Sequence, residues 1–194
     1  GLMVAILVDA RVRGEVIFKT IFFLPLTLAP IVVGLMWKWI YADNFGLLEM
    51  GSRQLGLHFI ADLSPYLARP EQATFFMAVA ATWGIVGFNM VIFLAGLRSI
   101  NPSLIDAATV DGAGQFNIFR HITIPSIIPF LTIVVAMNLI TALRVFDVIW
   151  LLTQGGPFRS TSTFAVIMYQ ESFIEYSMGY GSAVATLLFI IVAI

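Results

Sequence analysis

Apolar residues run through this chain in blocks too long for one face of a soluble helix. Residues 17–39 are apolar, interrupted chiefly by Lys19, Thr27, two prolines and Lys38. Residues 73–97 carry Asn89 as their one strongly polar side chain, and residues 127–143 form a third block that reaches Leu152 if Arg144 and Asp147 are accommodated. A helix needs about 20 residues to cross a hydrocarbon core of about 30 Å, and these blocks meet or approach that length. Two shorter runs, residues 1–8 and 178–194, lie at the ends, so the sequence is expected to be a piece of a longer protein with at least one span upstream. The pattern predicts an all-α, polytopic transmembrane helix bundle. Pro25, Pro30 and Pro129 fall inside the blocks. In a bundle, neighbouring helices absorb the resulting kinks, and kinked packing helices are the expectation.

The connecting segments differ from one another. Residues 9–16, DARVRGEV, are charged. Residues 40–72 hold Gly46, Gly51, Gly56, Pro65 and Pro70, the composition of an ordered surface loop, and residues 153–163, TQGGPFRSTST, form a Gly-Gly-Pro turn. If the spans alternate, Lys and Arg divide equally: Arg11, Arg13, Lys19, Arg98 and Arg120 on one side, Lys38, Arg53, Arg69, Arg144 and Arg159 on the other. Placing Arg144 inside the membrane tips the balance toward a cytoplasmic location for the first side. Trp37, Trp39 and Tyr41 suit an interfacial aromatic belt.

Residues 98–126 contain a different kind of element. Asn101 can cap a helix that opens on Pro102, where the missing N–H costs nothing. Leu104, Ile105 and Ala108 share a face while Asp106 lies off it, and Gly112 can take the left-handed conformation that ends the helix. A second amphipathic piece follows, with Phe116, Phe119 and Ile122 three apart, before Pro125 opens the next span. About ten helical residues span about 15 Å, too short to cross a bilayer. Such an element lies along the surface or projects from it, as a docking element or as a plain interfacial joint.

Composition narrows the function. The chain of 194 residues is 60% hydrophobic and only 11% charged, with mean hydropathy +0.97, whereas soluble domains carry about 25% charged residues. A net charge of −1 without a basic run leaves little to neutralise phosphates, which sets nucleic acid aside as a partner. Cysteine is absent, so disulfides, thiolate metal sites and cysteine nucleophiles are excluded. His58 and His121 lie far apart, no metal-ligand spacing occurs, and no nucleophile motif such as G-x-S-x-G is present, so neither a metal site nor catalytic residues are expected. The nearest approach to a phosphate-binding loop, Gly14 to Thr20 (GEVIFKT), lacks the second glycine and the spacing. No nucleotide or other cofactor is expected in this chain.

Polar groups inside apolar spans usually face the bundle interior or a wet path. Asn89 and Asn138 are the mid-span examples, and each suits an interhelical hydrogen bond or a substrate contact. Arg144 and Asp147, three apart, are expected to share a helix face and pair, either to hold spans together or to line a translocation path. Trp83, Phe88 and Phe146 could stack on a sugar or serve as packing residues.

Asp106-Ala107-Ala108, three residues, Gly112, nine residues, then Ile122-Thr123-Ile124-Pro125 resembles the EAA signature (E-A-A-x3-G-x9-I-x-L-P) of permease subunits of binding-protein-dependent ABC importers. Its spacing is kept throughout, with Asp106 in place of Glu and Ile124 in place of Leu. The segments RVRGEVIFKTIFFLPLTLAP, YADNFGLL and ALRVFDVIWLLTQGGP also resemble the carbohydrate branch of these permeases, the maltose, lactose and glycerol-3-phosphate type. The resemblance implies a single transmembrane permease domain over 1–194 of the type I importer kind, with a short cytoplasmic coupling helix in the loop 98–124. Asp106, Ala107, Ala108, Asp111, Gly112, Ile122 and Pro125 would couple to separate ATPase subunits, which alone use ATP. Further implied partners are a second, homologous permease subunit, an extracytoplasmic solute-binding protein and the lipid bilayer. The location implied is the cytoplasmic (inner) membrane of a prokaryote, multi-pass. The function implied is translocation of a sugar or sugar-like solute by alternating access. The competing expectations are an intramembrane enzyme, which would need convergent ionisable groups in the spans, and a channel or structural membrane protein.

Overall fold

The structure, a computed structural model, describes residues 1–9 and 15–193. Arg11, Arg13 and Gly14, which enter the charge division and the phosphate-loop comparison above, lie outside the described residues. Every regular element among the described residues is helical: α1 (Leu2–Asp9), α2 (Glu15–Thr27), α3 (Pro30–Ile40), α4 (Leu47–Gln54), α5 (His58–Ala61), α6 (Pro70–Arg98), α7 (Pro102–Val110), α8 (Gln115–Ile118), α9 (Ile124–Arg144), α10 (Asp147–Leu152), α11 (Phe164–Tyr169) and α12 (Met178–Ala193). The second apolar block is α6, unbroken over 29 residues. The third is α9, and with α8 and the turn before it the helix runs 30 residues from Gln115 to Arg144. These two are long and apolar enough to cross a membrane, and the pair α2 and α3 makes a third if taken as one broken span.

The structure departs from the sequence pattern where the backbone runs out of partners. The first block is two helices rather than one: Pro30 carries no N–H and drives Ala29 into an extended conformation (φ −61°, ψ 140°), so α2 stops at Thr27. The Thr27 hydroxyl donates to the Leu24 carbonyl at 2.7 Å, satisfying one of the acceptors left at that end. The third block does not continue to Leu152. It ends at Arg144, and α10 starts afresh at Asp147 after Phe146 leaves helical geometry (φ −125°, ψ −58°). The Thr163 hydroxyl accommodates this break by donating to the Val145 carbonyl at 2.7 Å. Arg144 and Asp147 therefore belong to different helices, and both are exposed with no ion pair between them. The amphipathic piece over Phe116, Phe119 and Ile122 is not separate from the span. It joins α9 through one π-helical turn, Phe119–Thr123, closed by the Ile124 N–H on the Phe119 carbonyl. That wide turn sits immediately before Pro125, whose ring would crowd the His121 carbonyl in a regular α-helix.

By packing, the described residues fall into two units, Gly1–Thr27 with Ile85–Leu139, and Leu28–Gly84 with Ile140–Ile194. In the first, Ala5 and Val8 of α1, Met90, Phe93 and Leu94 of α6, and Val134 of α9 form the buried centre. Gly87 lets α2 approach α6 closely: a Cβ there would collide with the Phe22 carbonyl and stand 2.9 Å from the Phe23 Cα. Without a hydrophobic drive between helices in lipid, such close backbone contact is a main source of association.

In the second unit α3 packs on α10, with Val33, Val148, Ile149 and Leu152 buried and Gly34 against the Leu151 side chain. Tyr41, Tyr66 and Phe76 form an aromatic knot with ring centroids 4.8–6.0 Å apart, and the Tyr41 hydroxyl donates to the Phe76 carbonyl at 2.8 Å. Of the three residues expected in an interfacial belt, only Trp39 faces outward. Tyr41 is buried, and Trp37 lies half-buried against Tyr41 and Trp83.

Gly87→Ala forces two backbones apart and is expected to destabilise the protein by about 1–3 kcal/mol. Gly34→Ala meets the Leu151 side chain, which can yield, and is expected to cost a fraction of that. Thermal midpoints of the two purified variants check the order.

Candidate functional site

The loop 98–124 is built from two local stop signals. The Asn101 side chain accepts the Ser103 N–H at 3.1 Å and so caps the N-terminus of α7, with Pro102 at its first position. At the other end Gly112 sits at φ +82°. The Ala113 N–H donates to the Ala108 carbonyl at 2.9 Å and the Gly112 N–H to the Thr109 carbonyl at 3.1 Å, the bond pair of a Schellman motif. A Cβ at Gly112 would meet nothing within 4 Å, so what the position demands is the left-handed backbone, not space. The result is a nine-residue rod about 14 Å long that ends sharply at both sides.

None of the nine residues of α7 is buried. Asp106, Ala107, Asp111 and Gly112 are exposed, Ala108 is half-buried, and beyond the rod Ile122 is half-buried and Pro125 exposed. Leu104 (53%), Val110 (87%) and Phe116 (71%) present large apolar surface outward. One feature of this region escaped sequence reasoning: Arg98, the last residue of α6, pairs with Asp9, the last of α1, at 3.4 Å. No spacing rule relates residues so distant in sequence, and both partners are substantially exposed, so the pair contributes about 0–1 kcal/mol.

Asn89 and Asn138 bond to each other. Each side-chain amide donates to the other's carbonyl oxygen, at 3.3 and 3.2 Å, which joins α6 to α9 within the first unit. Trp83 and Phe146 both pack on aromatic neighbours, Trp83 edge-on to Trp37 and Phe146 stacked on Trp150 at 5.6 Å. Among the described residues no group of three His, Asp or Glu side chains could hold a metal ion.

A second polar assembly, also missed, organises the loop between α3 and α6. The Glu49 carboxylate accepts the Asn44 N–H at 3.0 Å, the Ser64 hydroxyl at 3.0 Å and an Arg53 N–H at 2.8 Å. The Asn44 backbone bond, the Ser64 hydroxyl and the Arg53 charge together hold its carboxyl below the usual carboxylate range. Its signals were present in the sequence: an acidic residue at the third position of a helix, with arginine four residues on.

The whole chain, residues 1–194, matches the family described as binding-protein-dependent transport system inner membrane component. The chain belongs to that family. It is 39% identical over 189 residues to a probable ABC transporter permease protein of Pyrococcus horikoshii, covering 97% of this chain and 64% of the relative. It is 32% identical over 194 residues to the multiple sugar-binding transport system permease protein MsmF of Streptococcus mutans, covering 100% of this chain and 65% of the relative. The chain thus spans a little under two thirds of the length of these curated relatives. The fold matches that of a bacterial ABC transporter involved in the import of the acidic polysaccharide alginate, with a TM-score of 0.83 at 24% identity, over 99% of this chain and 68% of that one. The all-α fold expected from the pattern of spans, and of the kind the resemblance implies, is the fold observed. As a member of this family the chain is a membrane component.

The geometry sets the outcome of two substitutions. Amide exchange at Ala113 should quicken in the order Gly112→Asn, Gly112→Ala, Gly112→Val, because asparagine tolerates the left-handed region and alanine loses about 1–2 kcal/mol there. Asn89→Leu alone, which orphans the Asn138 amide, should cost about 1–2 kcal/mol, and the double Asn89→Leu/Asn138→Leu variant should recover part of that loss in thermal denaturation.

Proposed function

We propose that this chain forms the pore-lining transmembrane part of an ABC importer subunit that carries a sugar or sugar-like solute inward across the cytoplasmic membrane by alternating access. The observation that carries the reading is α7, a rod capped at both ends that buries none of its residues and sits at the EAA spacing. The outward apolar groups Leu104 and Val110 of the rod, with Phe116 of α8, call for a partner. That partner is a separate ATPase subunit. Asp106, Ala107, Ala108, Asp111 and Gly112 form the coupling surface, and Ile122 and Pro125 set where the span begins behind it. A stiff rod transmits a push without bending, which is what rigid-body rocking of spans requires.

The sugar reading is supported by the sugar-transport name of the Streptococcus mutans relative and by the segments that resemble the carbohydrate branch. The further partners proposed are a second homologous permease subunit and an extracytoplasmic solute-binding protein, with most selectivity residing in the latter. Translocation-path roles are proposed for Arg144 and Asp147, exposed where α9 and α10 part, and separately for the Asn89–Asn138 pair. ATP hydrolysis belongs to the partner, not to this chain.

The test uses the full-length protein that contains this sequence, assembled with its ATPase and solute-binding protein in proteoliposomes. Asp106→Lys with Gly112→Val is expected to abolish ATPase co-purification and ATP-driven uptake of labelled sugar while membrane insertion persists. Unchanged uptake in that variant, or uptake without ATP, would overturn the reading.

A further inference from the structure

The helix α4, in the connection between α3 and α6, is inside-out by the standard of a helix bathed in water. At 100° per residue, Glu49 and Ser52 share one side of α4, and each is only 5% exposed. Leu47 (66%) and Met50 (48%) lie on the opposite side, and the flanking turns add Phe45 (68%), Leu55 (77%) and Phe59 (68%) as exposed apolar groups. Two polar groups of α4 are turned inward: Asn44, Arg53 and Ser64 converge on the buried Glu49 carboxylate, and the Ser52 hydroxyl donates to the Glu49 carbonyl at 2.9 Å. A water-facing element places these classes the other way round.

The location of the segment says what covers its apolar side. The first turn of α4 begins only seven residues after α3 ends at Ile40, a reach of about 24 Å at full extension. In the last turn of α3, Trp39 is 75% exposed, an amphipathic ring of the kind that sits at headgroup level. The segment returns at Pro70 into α6, a span of membrane length. Taken with α2 as one broken span, α3 ends, as α6 begins, where a span meets the membrane surface.

We propose that α4 and α5 lie in the membrane interface, with Leu47, Met50, Leu55 and Phe59 sunk about 5–10 Å into the boundary between headgroups and acyl chains. The occupant of this apolar surface is the bilayer itself. The inference rests on the membrane placement of α3 and α6 and not on the sugar or the ATPase.

The sequence contains no cysteine, so Leu47→Cys, Leu55→Cys and Phe59→Cys each place a single site in this segment for a bimane label, with Asp62→Cys as the polar control. The full-length protein is reconstituted into phosphatidylcholine–phosphatidylglycerol vesicles. Emission is then compared with lipids spin-labelled near the headgroup and with iodide in the water. The three apolar sites are expected to lose most of their emission to the spin-labelled lipid and little to iodide, and Asp62 the reverse. Iodide quenching at all four sites overturns the proposal. So does the absence of lipid quenching at the apolar sites, the result if another subunit or a solute-binding protein covers them. Because the readout needs no transport, lipid quenching that persists in a protein without ATP-driven uptake would keep this ledge and discard the importer reading.

Discussion

In hydrocarbon a backbone N–H or C=O can find a partner only in the chain itself. Much of the local architecture follows from that. Helices run unbroken for 29 residues in α6 and for 30 from Gln115 to Arg144. Where a proline or a change of direction frees a carbonyl, a side-chain hydroxyl or a wide turn takes it up. Thr27 answers for Leu24, Thr163 for Val145, and the Ile124 N–H reaches back to Phe119. The same rule governs side chains. Asn89 and Asn138 exchange amide hydrogen bonds, and Glu49 gathers three donors from its own loop.

What the sequence reveals depends on the range over which a signal acts. The rod α7 was legible because both its ends are specified within a few residues: Asn101 and Pro102 start it, and Gly112 stops it, with the Ala113 and Gly112 N–H groups bonded to Ala108 and Thr109. The long spans were legible by length and hydropathy alone. The break after Thr27 was not, because a proline in an apolar block is equally compatible with a kink, and the outcome depends on where the next helix packs. Nor was the separation of Arg144 from Asp147. Their spacing suits one helix face, and the Thr163 hydroxyl that serves the break lies 18 residues from Val145. The helices α4 and α5 were overlooked in a segment rich in glycine and proline, where the helical runs are only eight and four residues long and the stabilising contacts run from Glu49 to Asn44 and Ser64.

The two short amphipathic regions differ in how they treat their charge. Around α7 both charged and apolar side chains face out, with local caps rather than burial keeping the rod in shape. Around α4 the carboxylate is turned inward and the apolar groups outward. A protein surface that must meet another protein in water needs polar specificity alongside apolar contact. A surface that meets only solvent of one kind needs no such mixture. The contrast assigns the two regions to different surroundings on physical grounds, without reference to their relatives.

The wide turn before Pro125 has a further effect on phase. A π turn holds one residue more than its neighbours, and each extra residue rotates the following side chains by roughly 100° about the axis. The stripe that begins at Phe116 therefore does not extend along α9; a new azimuth starts at Ile124. Removing a single residue there would turn the wide turn into an ordinary α-turn and leave everything downstream, Asn138 included, beside its present neighbours, whereas the same deletion within α9 would swing the rest of the helix by roughly 100°.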